Sequence, residues 1–358
     1  MIKIDRIRLP DIKEGLIVKK PFAKYNDYYN GSFTQLFRTY ESIPESVLKQ
    51  AKEGRIKLNW FGKYTDFIID SMFAIPPTGT GITSDILESM EKSAMYALIT
   101  GCGILVRGSE SVSAVNPDCY KQVVSADGRM VIGDALFYVY APDNTLVNQR
   151  VDVHVQVGQE PAVAMTFTYN GGSLGRLIDT QPSDLQMVKV FGRGRTDYDD
   201  IEPVLAELIV RMISVSRVLD KHTDPHIVMK SENILPPATE SAVKEQKDRE
   251  LKSDNPFFFE LHGENADMKY LIWDASLAAA DVQIDRLLDE LHIMTGIPST
   301  AFGVTRQGNT NSGVSLERQM FATLQRVRRL RRRLEMAFAE VSGINNTEWV
   351  DNPFAMEA

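Results

Sequence analysis

Two helices joined by a glycine-rich loop, between residues 277 and 341, constrain the fold of this chain more than any other stretch. The first helix is predicted from Leu277 to Thr295, and Gly296 and Pro298 end it. It carries three aspartates four residues apart, on one face by helical geometry: Asp281, Asp285 and Asp289. The second helix, predicted from Ser312 to Val341, would be about 45 Å long at 1.5 Å per residue. The sequence therefore predicts a long helical element that braces the rest of the fold.

The second helix combines an apolar stripe with a dense block of arginines. The stripe recurs at spacings of three, four and seven residues or their sums: Leu316, Met320, Val327, Leu330, Leu334, Phe338 and Val341. Six arginines occupy the other faces: Arg326, Arg328, Arg329, Arg331, Arg332 and Arg333. They could form a phosphate-binding patch, or they could pair with acidic groups of the same or a neighbouring subunit. We favour pairing between subunits, because the arginines do not form a single strip and because arginine is a preferred partner at interfaces.

The three aspartates of the first helix also allow two interpretations. A charge stripe of this kind is usually a solvated helix face. The alternative is an acidic wall, with the apolar side of the same helix packed elsewhere: Leu287, Leu288, Leu291 and Met294.

The charge and cysteine content narrow the possible functions. The formal net charge is -8 and the sequence pI is about 5.3, which argues against tight non-specific binding of nucleic acid by the bulk surface. The two cysteines, Cys102 and Cys119, lie in no metal-binding pattern, as expected for free thiols in a reducing compartment. We also expect no signal peptide and no membrane-spanning segment, so the protein is cytoplasmic or assembles in the cytoplasm.

The apolar patterns in the rest of the sequence predict an α+β fold. Helices are expected from Asn59 to the Pro76-Pro77 break and from Ser84 to Leu98. From Gly103 to Phe191 the apolar period switches to two, which indicates short antiparallel strands; residues 135–140 should pair with 151–157. A helix beginning at Glu202-Pro203 and a small α/β insertion over residues 223–274 complete this part.

No sequence motif indicates a catalytic centre, a metal site or a cofactor. Signatures of the G-x-S-x-G or H-E-x-x-H type are absent, and the five histidines are scattered over predicted strand, loop and helix. We therefore expect a protein that is not an enzyme. An enzyme with an unrecognised site stays open as an alternative, because catalytic signatures are specific to families.

The chain resembles the portal (connector) proteins of tailed bacteriophages. The most specific part is the Gly-hydrophobic-Pro turn at Gly296-Ile297-Pro298, the polar loop after it, and the run Asn309-Thr310-Asn311-Ser312-Gly313-Val314-Ser315-Leu316 that opens a long helix. Three weaker matches keep the order of that family: residues 59–77, 115–129 and 191–205. Together the matches span most of residues 59–341.

The resemblance implies a portal-like division of the chain. It comprises a mixed α/β wing at residues 1–200, a first stem helix at 201–222, a small α/β clip at 223–274, a second stem helix and turn at 275–303, a tunnel loop at 304–313, a long wing helix at 314–342 and a short tail at 343–358. Portal proteins carry a sizeable helical crown after the long helix. This chain departs from that pattern, so we expect its crown to be minimal or absent.

The resemblance also implies a function and partners. A portal is a homo-oligomeric ring, typically of twelve subunits, at one capsid vertex of the virion; it is assembled in the host cytoplasm. It conducts double-stranded DNA without sequence specificity and contacts the terminase large subunit, the major capsid or scaffold protein and a head-completion adaptor, with no membrane partner.

The same resemblance assigns roles to residues of this chain. Asp281, Asp285 and Asp289 would line the channel, and the six arginines would lie at the subunit interface. The tunnel loop would comprise Thr305, Arg306, Gln307, Gly308, Asn309, Thr310 and Asn311. The clip residues that dock terminase or adaptor would be Lys244, Lys247, Arg249, Phe257 and Phe258. The alternative from the residues themselves is a nucleic-acid-binding module that uses the arginine-rich helix.

Overall fold

A computed structural model gives the fold of most of the chain. It describes residues 22–33, 36–37, 49–51, 53, 56, 58–109, 111–124, 131–140, 149–157, 161–170, 173–223, 227–230, 267–270, 277–304 and 318–349. The chain divides into two compact units, the first formed by Met1–Val210 with Asp285–Ala358 and the second by Arg211–Ile284.

Helices and antiparallel strands both contribute, as the predicted α+β class requires. The helices are α1 (Ala23–Tyr29), α2 (Trp60–Phe73), α3 (Ser84–Thr100), α4 (Tyr198–Thr223), α5 (Leu277–Thr295) and α6 (Phe321–Ser342). The strands are β1 (Cys102–Arg107), β2 (Val112–Ala114), β3 (Tyr120–Val124), β4 (Val131–Tyr140), β5 (Gln149–Val157), β6 (Val163–Asn170), β7 (Ser173–Pro182), β8 (Met187–Gly192), β9 (Ile227–Lys230) and β10 (Asp267–Tyr270).

A three-stranded sheet in the order β2-β1-β8 belongs to the first unit. Helices α3 and α6 both pack against it. Ile104 and Val106 of β1 are buried in an apolar cluster that also contains Leu136 of β4 and Leu185. This cluster joins the small sheet to the larger one by burying apolar area from both.

The larger sheet is an antiparallel meander of five strands in the order β3-β4-β5-β6-β7. The predicted pairing of residues 135–140 with 151–157 is confirmed, with Val139 opposite Val151. Strand β7 was not expected from the sequence. It is an edge strand. Arg176 and residues 178–182 are exposed and Leu177 is half-buried, so the strand lacks the apolar alternation by which a half-buried strand is recognised.

One predicted helix begins earlier than expected, and another is interrupted. Helix α4 starts at Tyr198, before Pro203, because the hydroxyl of Thr196 accepts from the Tyr198 amide and two aspartates follow in the first turn. The predicted long helix is interrupted at Met320, a turn residue that follows helical residues 318–319, and α6 continues from Phe321. The predicted start at Ser312 lies outside the described residues. The 22 residues of α6 span about 33 Å.

The second unit contains the only two strands described between residues 224 and 276. Strands β9 and β10 pair antiparallel, with Val228 opposite Lys269. Both strands lie within residues 223–274, where the sequence predicted a small α/β insertion.

The end of α3 and the loop after β8 approach each other so closely that glycine is required at both contacts. Gly101 ends α3 with a φ of 79°, and a Cβ added there would lie 2.5 Å from the backbone carbon of Arg195. A Cβ on Gly192, whose φ is 136°, would lie 2.3 Å from the carbonyl oxygen of Gly101. The carbonyl of Gly101 also accepts from the amides of Arg193 and Gly194, both at 3.0 Å.

We predict that Gly101→Ala lowers the free energy of unfolding by more than about 2 kcal/mol, because the left-handed conformation and the backbone contact both oppose a side chain. Gly194→Ala is the matched control. Its φ is 69° and no atom lies within 4 Å of the added Cβ, so its cost is about 1 kcal/mol. Urea unfolding followed by circular dichroism measures both; equal costs would contradict the close approach.

Candidate functional site

The arginines of α6 fall into two groups by their surroundings. Arg328, Arg329 and Arg332 are exposed, whereas Arg326, Arg331 and Arg333 are half-buried. The predicted apolar stripe is confirmed for its described members, since Val327, Leu330, Leu334, Phe338 and Val341 are all buried, as is Met320 just before the helix. The stripe fixes the rotation of α6, and the arginines therefore point in several directions.

Arg326 points into the first unit. Its Nη1 donates to the hydroxyl of Tyr64 at 2.6 Å and to Oδ2 of Asp197 at 3.4 Å. Its Nη2 donates to the carbonyl oxygen of Met294 near the end of α5 at 3.3 Å. These contacts within the chain give Arg326 a structural role, in addition to the interface role expected from the sequence.

Asp197 and Tyr64 complete this network. The Tyr64 hydroxyl donates to Oδ2 of Asp197 at 2.6 Å, and Arg193 donates to Oδ1 at 2.6 Å. Asp197 is 8% exposed and Tyr64 is 1% exposed. Burial, and then the negative charge of Asp197, hold the pKa of Tyr64 far above its usual range, so this hydroxyl stays a donor.

Sequence reasoning did not single out Asp197, which lies 133 residues from Tyr64 and 129 from Arg326. No spacing rule links residues at such separations. The sequence offered one signal for this site, which is an acidic residue, Asp197, placed between Thr196 and the apolar pattern of α4.

The other arginines of α6 differ in how far they are engaged. Arg331 lies over the ring of Trp349 at 5.6 Å, with its Nε 3.8 Å from a carboxylate oxygen of Glu335. Arg328 also interacts within the chain. Arg329, Arg332 and Arg333 have no hydrogen-bond or ion-pair partner in the described part of the chain, and Arg329 and Arg332 are exposed to solvent.

The acidic stripe lies on α5, as predicted. Asp281 and Asp285 are exposed and Asp289 is half-buried. On the apolar side Leu291 is fully buried, but Met294 is 40% exposed, so the predicted packing is wrong at Met294. Because Asp281 and Asp285 are exposed, the acidic stripe presents two carboxylates to solvent on one face of α5.

The turn after α5 is anchored on both sides. Phe302 packs on the rings of Trp60 and Phe67, with centroids 5.6 and 5.7 Å apart. The hydroxyl of Thr323 in α6 donates to the carbonyl of Gly296 at 2.6 Å. The predicted tunnel-loop residues Thr305–Asn311 follow directly and lie outside the described residues, as do the predicted clip residues Lys244, Lys247, Arg249, Phe257 and Phe258.

The described residues offer little that resembles a catalytic or metal site. They contain no group of three or more His, Cys, Asp or Glu able to hold a metal ion. His154 contacts the hydroxyl of Ser183 through Nδ1 at 2.6 Å, and that hydroxyl also accepts from the Leu185 amide at 3.1 Å. Burial lowers the pKa of His154. The pair therefore orders the turn between β7 and β8.

Within the described ranges no helix combines the length and the apolar character needed to cross a bilayer.

We predict that Arg326→Ala lowers the free energy of unfolding by about 2–3 kcal/mol, because it leaves the buried Asp197 and Tyr64 without one charged donor. Arg332→Ala, on the same helix and exposed, should change it by less than about 0.5 kcal/mol. Urea unfolding measures both variants. A loss for Arg326→Ala no larger than for Arg332→Ala would contradict the structural role of the network.

Comparison with known proteins shows a shared fold. The sequence matches no protein-family model and no curated protein. The structure is similar to a chain in the neck of the native GTA particle, computed with C12 symmetry, with a TM-score of 0.50 and 14% identity over 86% of this chain and 83% of that chain. It is also similar to a chain in the virion of the native gene transfer agent (GTA) particle, with a TM-score of 0.50 and 12% identity over 85% of this chain and 83% of that chain. The chain therefore has a mixed α/β fold in common with a component of a particle neck.

Proposed function

We propose that this chain is a portal-type subunit that forms a ring at the neck of a phage-like particle. The observation that carries the proposal is the fold similarity over 86% of the chain to a chain in a particle neck. The turn and loop motif at residues 296–316, found in the sequence independently of the fold, supports the same assignment. In this account the protein is a structural component of the virion, and it has no catalytic role.

The ring is a homo-oligomer of twelve copies. The C12 symmetry of the neck that contains the similar chain supports this number. A closed ring needs one surface on each subunit to fit a different surface on the next. Arg329, Arg332 and Arg333, which have no partner among the described residues, and the net charge of -8 supply complementary charges for such a contact.

Asp281, Asp285 and Asp289 form the wall of a channel for double-stranded DNA. A duplex carries one negative charge per 1.7 Å or so of its axis, and each phosphate neutralised by a cation adds salt-dependent affinity. A basic wall would hold the DNA, whereas a carboxylate stripe repeated by the ring symmetry repels the phosphates and lets the duplex slide. The residues Thr305–Asn311, with one cation at Arg306, form the constriction.

The remaining parts of the chain contact the packaging and tail proteins. Residues 223–274 form the clip, where Lys244, Lys247, Arg249, Phe257 and Phe258 dock the terminase large subunit during packaging and a head-completion adaptor afterwards. The wing contacts the major capsid or scaffold protein. The ring assembles in the host cytoplasm and remains in the virion.

The arginine positions disfavour the alternative of a DNA-gripping module. Arg326 is held by Tyr64 and Asp197, and Arg331 stacks on Trp349. Helix α6 therefore does not present its cations as one row along a groove, which backbone binding of a duplex requires.

We predict that the purified chain forms rings with a central hole in negative-stain images, and that native mass spectrometry gives a mass of twelve chains. Closure by repeated contacts between identical subunits is the physical reason for a single size. A monomer at all concentrations would contradict the proposed function.

Replacing Asp281, Asp285 and Asp289 by Asn should strengthen binding of double-stranded DNA by the ring at least tenfold at low salt, since the repulsion of phosphates is removed. The matched control replaces the exposed Asp85, Glu88 and Glu91 of α3 by their amides and removes the same number of charges. Fluorescence anisotropy with a labelled duplex measures both variants. Equal affinities of the two triple variants would remove the acidic wall from the mechanism.

A further inference from the structure

A basic cleft opens between α6, the end of α3 and the loop after β8, all within the first unit. Five arginines and one aspartate line it together with four small or apolar residues. The charged residues are Arg193, Arg195, Asp197, Arg326, Arg329 and Arg333. We call this group the basic cleft.

The loop on one side of the basic cleft is held in place before any partner arrives. The close contact of Gly192 with Gly101, and the two hydrogen bonds from residues 193 and 194 to the Gly101 carbonyl, fix its backbone. The hydroxyl of Thr196 donates to the carbonyl of Leu98 at 3.0 Å. Little conformational entropy is therefore lost in this loop when a partner binds.

Three of the five arginines are already paired inside the chain. Arg193 and Arg326 share Asp197, and Arg195 pairs with Asp200. Arg329 and Arg333 have no hydrogen-bond or ion-pair partner in the part of the chain that the structure describes. They lie four residues apart, so they project from the same face of α6 on consecutive turns, with Cβ atoms about 6 Å apart. Their guanidinium groups suit a carboxylate, which can accept two hydrogen bonds from such a fork.

We infer that the basic cleft binds a carboxylate side chain of a second copy of this chain. The inference rests on the proposed ring and assigns one of its contacts. With a formal net charge of -8, each copy is an anionic partner for the cleft of another. A duplex is a poorer fit, because its phosphates form a continuous row, whereas Arg329 and Arg333 line one concave place.

The test compares Arg329→Ala/Arg333→Ala with Arg328→Ala/Arg332→Ala. The two double variants remove the same charge from the same helix, and only the first changes the basic cleft. We expect the first to raise the concentration of half-assembly at least tenfold relative to the second, which corresponds to about 1.4 kcal/mol. Mass photometry over a dilution series measures this, and the midpoint of thermal unfolding monitors folding. If the double variant is unstable, the concentration of half-assembly is measured instead for Arg329→Gln, which changes one exposed residue of the basic cleft.

The outcomes separate this inference from the proposed function. If the wild-type chain forms rings and the two double variants assemble alike, the assignment of the basic cleft is wrong while the ring stands. If the first variant assembles normally and instead loses affinity for double-stranded DNA, the cleft is a phosphate site and the inference is overturned. If the wild-type chain forms no ring, the proposed function fails and this inference fails with it.

Discussion

The buried carboxylate of Asp197 is the interaction on which much of the first unit depends. It accepts hydrogen bonds from Tyr64 of α2 and Arg193 of the loop after β8, each at 2.6 Å, and a longer one from Arg326 of α6. A carboxylate that is 8% exposed is costly to bury without such donors. The three segments that provide them are therefore held in one arrangement. Because Arg326 also donates to the Met294 carbonyl, the end of α5 joins the same arrangement.

This arrangement gives the charged groups of α6 different roles. Arg326 is engaged inside the chain, Arg331 stacks on Trp349, and Arg329 and Arg333 line the basic cleft. One arginine-rich helix can thus stabilise the subunit and present cations to another molecule. The exposed carboxylates of α5 lie on a separate helix. In the proposed ring the cations serve contacts between subunits, and the carboxylates face the DNA.

Periodic patterns allowed much of the local structure to be predicted. The bounds of α5, the end of α3 near Gly101, the pairing of β4 with β5 and the buried stripe of α6 all follow from apolar spacing and turn residues. Strand β7 could not be recognised, because an exposed edge strand carries no apolar alternation. The start of α4 at Tyr198 depends on the hydroxyl of Thr196. It was not predicted, because Pro203 indicated the first turn of the helix. The Asp197 network joins residues more than a hundred positions apart, and only the folded structure brings them together.

The most direct test of this account is an electron cryomicroscopy reconstruction of the purified assembly. We expect a twelve-subunit ring whose inner surface carries Asp281, Asp285 and Asp289, with Arg329 and Arg333 at the contact between neighbouring subunits. A ring with the acidic stripe on its outer surface, or an assembly without a central channel, would contradict it.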